Sequence, residues 1–434
     1  MSQKMKLGLF MTSTGHHAGG WRYPTATPGS PLDFKFYANI VKKAEQAKLD
    51  MVFFSDKLAL DDIYGSSFAD SVMYRPSITS EPITLISSLS AVTKHIKLAA
   101  TASTTYHEPY HIARMFATLN HLSQGRVAWN VVTSTSDAEA RNFGESLHLD
   151  HATRYERAEE FIEVVKKLWS SWDAGTDPKD KKTGVYSNKD HVHYIDHESH
   201  WFDVKGPLNV PLSEYGHPTI IQAGSSETFR ELAVKNADII FTVQPTLESA
   251  KRFYQDVQSR MKRHHRSQDS ISILPGVMPI IGSTEKEAEE KRQYLDSLIH
   301  PMAGIAFMSG SMNYDLSQHD VDDKFPDIEN VIRGSKGRFQ AVIRKARQEN
   351  KTLAEVGKAY AASRSHQIVV GTPNTISDKL QQWYEERACD GFNLMPPYME
   401  EGFTEIVEQV VPELLNRKLI KEERVLEEPL NKFT

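Results

Sequence analysis

Residues 96–134 read IKLAATASTTYHEPYHIARMFATLNHLSQGRVAWNVVTS. Two short apolar runs, 96–104 and 127–134, enclose a stretch with helical periodicity at 110–122. Neither run alternates polar with apolar, as a strand with one wet face would. Each therefore reads as a parallel strand covered on both sides. Working outward, the same unit recurs. Strand-like runs stand at 6–11 (KLGLFM), 51–56, 219–224, 238–243, 271–281 and 391–395. Amphipathic stretches follow them at 34–47, 82–93, 226–236, 247–264, 285–298 and 403–415, and one at 155–172 follows 127–134. Eight strand–helix units predict an α/β protein, a (β/α)8 TIM-like barrel, with an open doubly wound sheet as the alternative. We read 1–434 as one domain carrying two insertions. The first, at about 174–218, holds a small hairpin from VHYI and HWFDV; the second, at about 301–366, holds one amphipathic helix near 338–349. An insertion of that length between the seventh and eighth strands is expected to form a lid.

Composition excludes several classes. Lys and Arg total 51 against 57 Asp and Glu, so a net charge of -6 supplies no basic field for nucleic acid or anionic lipid. The single cysteine, Cys389, allows no internal disulfide and no cysteine-based zinc site. No apolar run approaches the ~18 residues of a membrane span, and 1–11 is too short for a signal peptide, so a cytoplasmic protein is expected. The histidines of 191–200 (HVHYIDHESH) lack metal-binding spacing, and no metal is expected. No G-x-S-x-G elbow, P-loop or G-x-G-x-x-G is present, which removes support for acyl transfer, ATP hydrolysis and Rossmann-type NAD binding.

Ligands of parallel α/β folds bind at the carboxyl ends of the strands. Those ends read 11–17 with His16 and His17, Ser55 and Asp56, 101–105 with Thr101, 130–134 with Asn130, 222–226, and 393–397. The set is polar, small and mostly uncharged, which suits a large hydrogen-bonding ligand better than a metal. Within 222–230 (QAGSSETFR), Ser225 and Ser226 open a helix whose free amides attract a phosphate; the same residues read as a serine N-cap with a capping box, and the two readings are not exclusive. His151 and Tyr155, four apart at a helix start, face one ligand. Asn130 either holds a flat polar ring or satisfies buried backbone.

Ordered motifs along essentially the whole chain carry a resemblance: HHAGGWR (16–22), FFSDKLAL (53–60), STTYHEPYHIAR (103–114), LSQGRVAWNVVTS (122–134), ARNFG (140–144), HATRYERA (151–158), WFDVKGPLNVP (201–211), QAGSSETFR (222–230), IVVGTPNTISDKL (368–380) and DGFNLM (390–395). The chain resembles the flavin-dependent monooxygenases of the bacterial luciferase-like superfamily, in the branch holding nitrilotriacetate, long-chain alkane and dibenzothiophene-sulfone monooxygenases. The resemblance implies reduced FMN (FMNH2) at the strand ends, contacted by Asp56, Thr101, His151, Tyr155 and Ser226, with Ser225 as a neighbour. It implies a separate NAD(P)H:flavin reductase as FMNH2 donor, O2 as co-substrate, and a small organic substrate undergoing C–S or C–N cleavage. His16 or His17 then donates to developing negative charge or acts as general acid, and Asn130 orients flavin or oxygen; His300 is a further candidate. A homodimer or homotetramer is expected, with the tail 425–434 reaching a neighbour. Thr14 stands near the place of a cysteine in the alkane branch, which argues against an alkane substrate. The competing readings are a coenzyme-F420-dependent oxidoreductase on the same barrel and a non-catalytic flavin-binding protein.

Overall fold

The structure is a computed structural model and describes residues 4–26, 31–173 and 179–422. The tail 425–434 and the start of the first insertion lie outside the described residues.

Nine parallel strands form the main sheet: β1 Lys6–Met11, β2 Met51–Phe54, β3 Lys97–Ser103, β4 Val127–Val132, β5 Thr219–Ala223, β6 Ile239–Thr242, β7 Ser272–Ile281, β8 Gln367–Gly371 and β9 Gly391–Leu394. Eight of them close a ring, because β7 pairs with both β6 and β9 and β9 pairs with β1. The barrel, rather than the open sheet, is the fold. Strand β8 is one more than the eight expected. It pairs with Val277–Ile281, the outer half of the ten-residue β7, so the pattern of one strand per helix breaks there.

Period-two alternation sorts the strand residues. Leu98, Ala100, Trp129 and Val131 point outward into the core shared with the helices, whereas Met51, Phe53, Ala99, Ala128, Ile221, Phe241 and Leu274 fill the barrel. Thr101 and Asn130 continue the inward series one step beyond that plug and pair in register. The strand ends are thereby left polar above an apolar floor.

The second insertion differs from its reading. It holds three helices, Pro301–Met312, Lys336–Gln348 and Leu353–Ser363, around a hydrophobic cluster of its own that includes Met308, Phe325, Ile332, Phe339 and Leu353. The first of these helices (PMAGIAFMSGSM) is apolar on every side, so it has no amphipathic period to detect. In the first insertion the hairpin pairs His197–Glu198 with Asp203–Val204; VHYI lies before it, with Val192 bridging Trp172. Glu160 anchors the hairpin by accepting from the Phe202 amide and from His197. Among the described residues no helix is long and apolar enough to cross a membrane.

Candidate active site

A cavity of about 510 Å³ opens over the carboxyl ends of the strands, and nine of the residues singled out from the sequence line it: His16, His17, Asp56, Thr101, Asn130, His151, Tyr155, Ser225 and Ser226. Its roof comes from the second insertion through Ala303, Phe307, Gly334, Arg338 and Arg364.

At the centre, Asn130 Nδ2 donates to Thr101 Oγ1 at 2.9 Å, and that hydroxyl donates in turn to the Phe54 carbonyl at 2.9 Å. Thr101 thus fixes the orientation of Asn130. The amide oxygen of Asn130 is left buried without a partner, as are Gln222 Oε1 on β5 and Asn393 Oδ1 on β9. Buried polar atoms are rarely orphaned, and three converging on one cavity fit a flat ligand with hydrogen-bonding edges.

At one end, Ser226 caps the helix Glu227–Asn236, its Oγ accepting from the Phe229 amide at 3.2 Å. Glu227 occupies the first helical position, so the expected capping box does not form; Phe229 stands where its glutamate would be. Gly224 is required here, because a Cβ would lie 2.7 Å from the Phe229 ring. The Tyr155 hydroxyl reaches Ser226, and the His151 ring stacks on Tyr155 with centroids 4.7 Å apart. Arg154, passed over in the sequence, points into the same corner. It is 3 % exposed, its Nη2 donates to the Gly334 carbonyl at 3.4 Å, and its Nε and Nη1 have no partner. An unpaired buried guanidinium beside a helix start and a serine pair forms an anion cradle.

The two histidines separate cleanly. His16 Nε2 donates to the Phe10 carbonyl at 2.9 Å, which leaves Nδ1 as a buried, unpartnered acceptor. Burial, reinforced by the Arg364 charge, pushes its pKa down to about 3. A neutral ring of this tautomer offers the cavity a hydrogen-bond acceptor at Nδ1. Both nitrogens of His17 are spent on the fold: Nδ1 accepts from the Gly19 amide and Nε2 meets Asp296, each at 3.1 Å. His300 does not line the cavity. It caps the helix Pro301–Met312 through Nδ1 and stacks on Tyr74 at 3.7 Å.

Burial pushes the Asp56 carboxyl up to about 6, with Glu81 and Glu139 adding to the effect and the Lys57 amide opposing it. Glu139 itself is consumed, accepting from the Ser134 hydroxyl and the amides of Thr135 and Ser136. Elsewhere, His191 and His193 share the Asp173 carboxylate, and the Cys389 thiol is buried. Gln222 and Asn393 open two of the strand ends read from the sequence, whereas Arg154, Arg364 and His366 carry no local signal.

The family model for luciferase-like monooxygenases matches residues 5–391, and the chain belongs to that family. It is an enzyme of the monooxygenase class, which sets aside the non-catalytic reading. A relative from Bacillus subtilis (strain 168), an N-acetyl-S-(2-succino)cysteine monooxygenase, is 42% identical over 99% of this chain and 98% of its own. Component A of a nitrilotriacetate monooxygenase from Aminobacter aminovorans is also 42% identical, over 97% of this chain and 94% of its own. A riboflavin lyase crystallised with modified FMN and riboflavin superposes with a TM-score of 0.87 at 28% identity, covering 96% of this chain and 93% of that one. A flavin is the group the family implies, and the orphaned amide oxygens and the anion cradle fit its ring and its phosphate.

Proposed function

We propose that this protein is the oxygenating component of a two-component monooxygenase. It takes FMNH2 from a separate NAD(P)H:flavin reductase and uses O2 on a small organic molecule. The observation that carries this reading is the pairing of Arg154, Ser225 and Ser226 at one end of the cavity with the orphaned oxygens of Asn130, Gln222 and Asn393 at its centre. When bound, reduced FMN supplies the electrons that activate O2.

The chain's own residues do the rest. Ser226, Tyr155 and Arg154 hold the phosphate, and His151 braces Tyr155. Asn130, oriented by Thr101, positions the ring together with Gln222 and Asn393. His16 Nδ1 accepts a hydrogen from a ligand N–H or O–H, and Asp56, titrating near 6, holds or releases a proton close to neutrality. The second insertion serves as the lid that keeps water from the reacting oxygen. Relatives named for a thioether and for an amine substrate support C–S or C–N bond cleavage. The reading includes 1–434 as one catalytic unit in the cytoplasm, assembled as a homodimer or homotetramer.

Anaerobic titration with FMNH2 and with oxidised FMN, followed by mixing with oxygen, tests it. Tighter binding of the reduced form, with oxidation slower than that of free FMNH2, is expected. Oxidation at the free-flavin rate would instead favour a deazaflavin such as coenzyme F420.

A further inference from the structure

Two guanidiniums stand over the ring of Phe307: Arg75 at 4.1 Å and Arg364 at 4.7 Å from its centroid. Arg75 has its counter-charge in Asp61, which also takes Lys57. Among the described residues Arg364 has no carboxylate partner, and neither has Arg338, whose recorded side-chain contact is the Tyr360 hydroxyl at 3.5 Å. Both line the cavity. Burial, with Arg75 and then Arg338 adding to it and Tyr360 and Asp61 opposing, pushes Arg364 down to about 10, and burial, with Arg338 and Arg364 adding to it, holds His366 well below the usual histidine range. Positive charge is therefore crowded into one wall, offset only in part by Asp61, which is already shared by Arg75 and Lys57.

Arg364 stands apart from the phosphate corner. A Cβ on Gly276 of β7 would lie 2.2 Å from His366 Nδ1, so His366 lies against β7, and the Arg338 and Arg364 charges both reach it. The phosphate cradle is built from β5 and the helices His151–Trp169 and Glu227–Asn236, with the second insertion touching its edge: Gly334 accepts from Arg154, and a Cβ on Gly337, next to Arg338, would lie 3.5 Å from Ser225 Oγ. The carboxylates lining the cavity do not serve Arg338 and Arg364: Glu139 is consumed by serine hydroxyls and amides, and Asp56 accepts from the Lys57 amide and, among the described residues, makes no ion pair with either arginine. Unpaired guanidiniums are costly to keep in a partly buried site and become favourable when a ligand supplies carboxylates in bidentate geometry. A neutral substrate would leave Arg364 uncompensated, and Arg338 as well unless the phosphate reached it.

We infer that the substrate carries two or more carboxylates, bound by Arg338 and Arg364 at the wall of the cavity roofed by the second insertion. The inference deepens the monooxygenase reading and rests on it for placing the substrate beside the flavin.

Calorimetric titration of the flavin-free full chain tests it, using three trianions as probes: N-acetyl-S-(2-succino)cysteine, nitrilotriacetate and citrate. The trimethyl ester of the first is the neutral control. At least one trianion should bind, the ester of N-acetyl-S-(2-succino)cysteine at least tenfold more weakly than its acid. Arg364→Gln and Arg338→Gln should each weaken the best trianion about tenfold or more, with Arg364→Gln leaving FMN affinity within about twofold. Binding by none of the three, equal binding of acid and ester, or unchanged trianion binding in both variants overturns the inference. The acid–ester comparison needs no variant, so a misfolded substitution does not rescue it. FMNH2 titration of the same preparations separates the two readings. Flavin binding without trianion preference removes only this inference, whereas trianion binding without FMNH2 binding removes the monooxygenase reading.

Discussion

His17 Nε2 donates to Asp296 Oδ1 at 3.1 Å, and this bond ties the loop after the first strand to the helix Glu285–Ser297. The donor is fixed because the Gly19 amide can only donate, which forces Nδ1 to accept. His17 is therefore a clip, and its neighbour His16 is the histidine with a nitrogen to spare. His17→Ala should cost about 1–3 kcal/mol of stability through the two lost bonds and the cavity, read as a lower urea midpoint. His16→Ala should leave FMNH2 binding within a few-fold and raise the H2O2 released per O2 consumed. If His17→Ala uncouples the reaction at full stability, the two assignments are reversed.

Ser226 combines two tasks that substitution can separate. Ser226→Ala removes the cap, costing about 1 kcal/mol, and weakens FMN. Ser226→Asp keeps an oxygen for the Phe229 amide but sets a carboxylate against the phosphate. Its thermal midpoint should match that of the unmodified chain while its FMN affinity falls more than that of Ser226→Ala. Equal affinities for the two variants would place the phosphate elsewhere.

Arg154 is expected to act in opposite directions on stability and on binding. In the flavin-free chain its orphaned guanidinium is a cost, so Arg154→Gln should leave stability unchanged or raise it. FMN affinity should fall by about tenfold to a hundredfold, for one or two charge-assisted bonds worth ~1.5–3 kcal/mol each. Riboflavin, which lacks the phosphate, should bind both forms alike. A parallel loss for FMN and riboflavin would assign Arg154 to the cavity wall and not to the anion.

The site was legible where it depends on strand ends and illegible where it depends on which polar atoms stay unpaired. Parallel strands buried on both faces leave contiguous apolar runs, so the ring strands and the polar residues capping them, such as Asn130 and Ser226, could be read directly. Strand β8 escaped because QIVVG directly follows a long insertion and pairs only with the outer half of β7. His16 and His17 are adjacent in sequence, and only tertiary partners, the Phe10 carbonyl for one and Asp296 for the other, tell them apart. Arg154 and Arg364 look like ordinary surface arginines until their surroundings prove to hold no carboxylate partner. Lack of a partner has no sequence signature.

Asp56 should impart a pH dependence of known sign. Its folded pKa of about 6 exceeds the ~3.9 of an unfolded aspartate, so the native chain holds this proton more tightly. The corresponding stability is present below about pH 4 and is lost as pH rises through about 6. In the flavin-free chain Asp56→Asn should therefore gain stability at pH 7, by at most about 3 kcal/mol for two pK units, and should gain none at pH 4. Urea titrations at pH 4, 5.5 and 7 measure the difference. A gain independent of pH would mean that packing, and not the buried charge, is responsible.

Gly304 and Gly357 bring the helices Pro301–Met312 and Leu353–Ser363 into backbone contact. A Cβ on Gly304 would lie 1.9 Å from the Gly357 carbonyl oxygen, a backbone atom that moves only if the helices part. On Gly357 the nearest atom would be Ile305 Cγ1 at 2.7 Å, a buried side-chain atom that needs a smaller displacement than the backbone oxygen at 1.9 Å. Gly304→Ala should thus cost about 1–3 kcal/mol, and Gly357→Ala distinctly less. The functional consequence follows from what these helices carry, since Ala303, Phe307 and Ala361 all face the cavity. Spreading the helices should admit water to the reacting oxygen while leaving Ser225 and Ser226 in place, on the loop after β5. Gly304→Ala is therefore expected to keep near-normal FMNH2 affinity and to release more H2O2 per O2, and Gly357→Ala to stay close to the unmodified chain. Normal coupling in a measurably destabilised Gly304→Ala chain would show that the second insertion does not act as the lid.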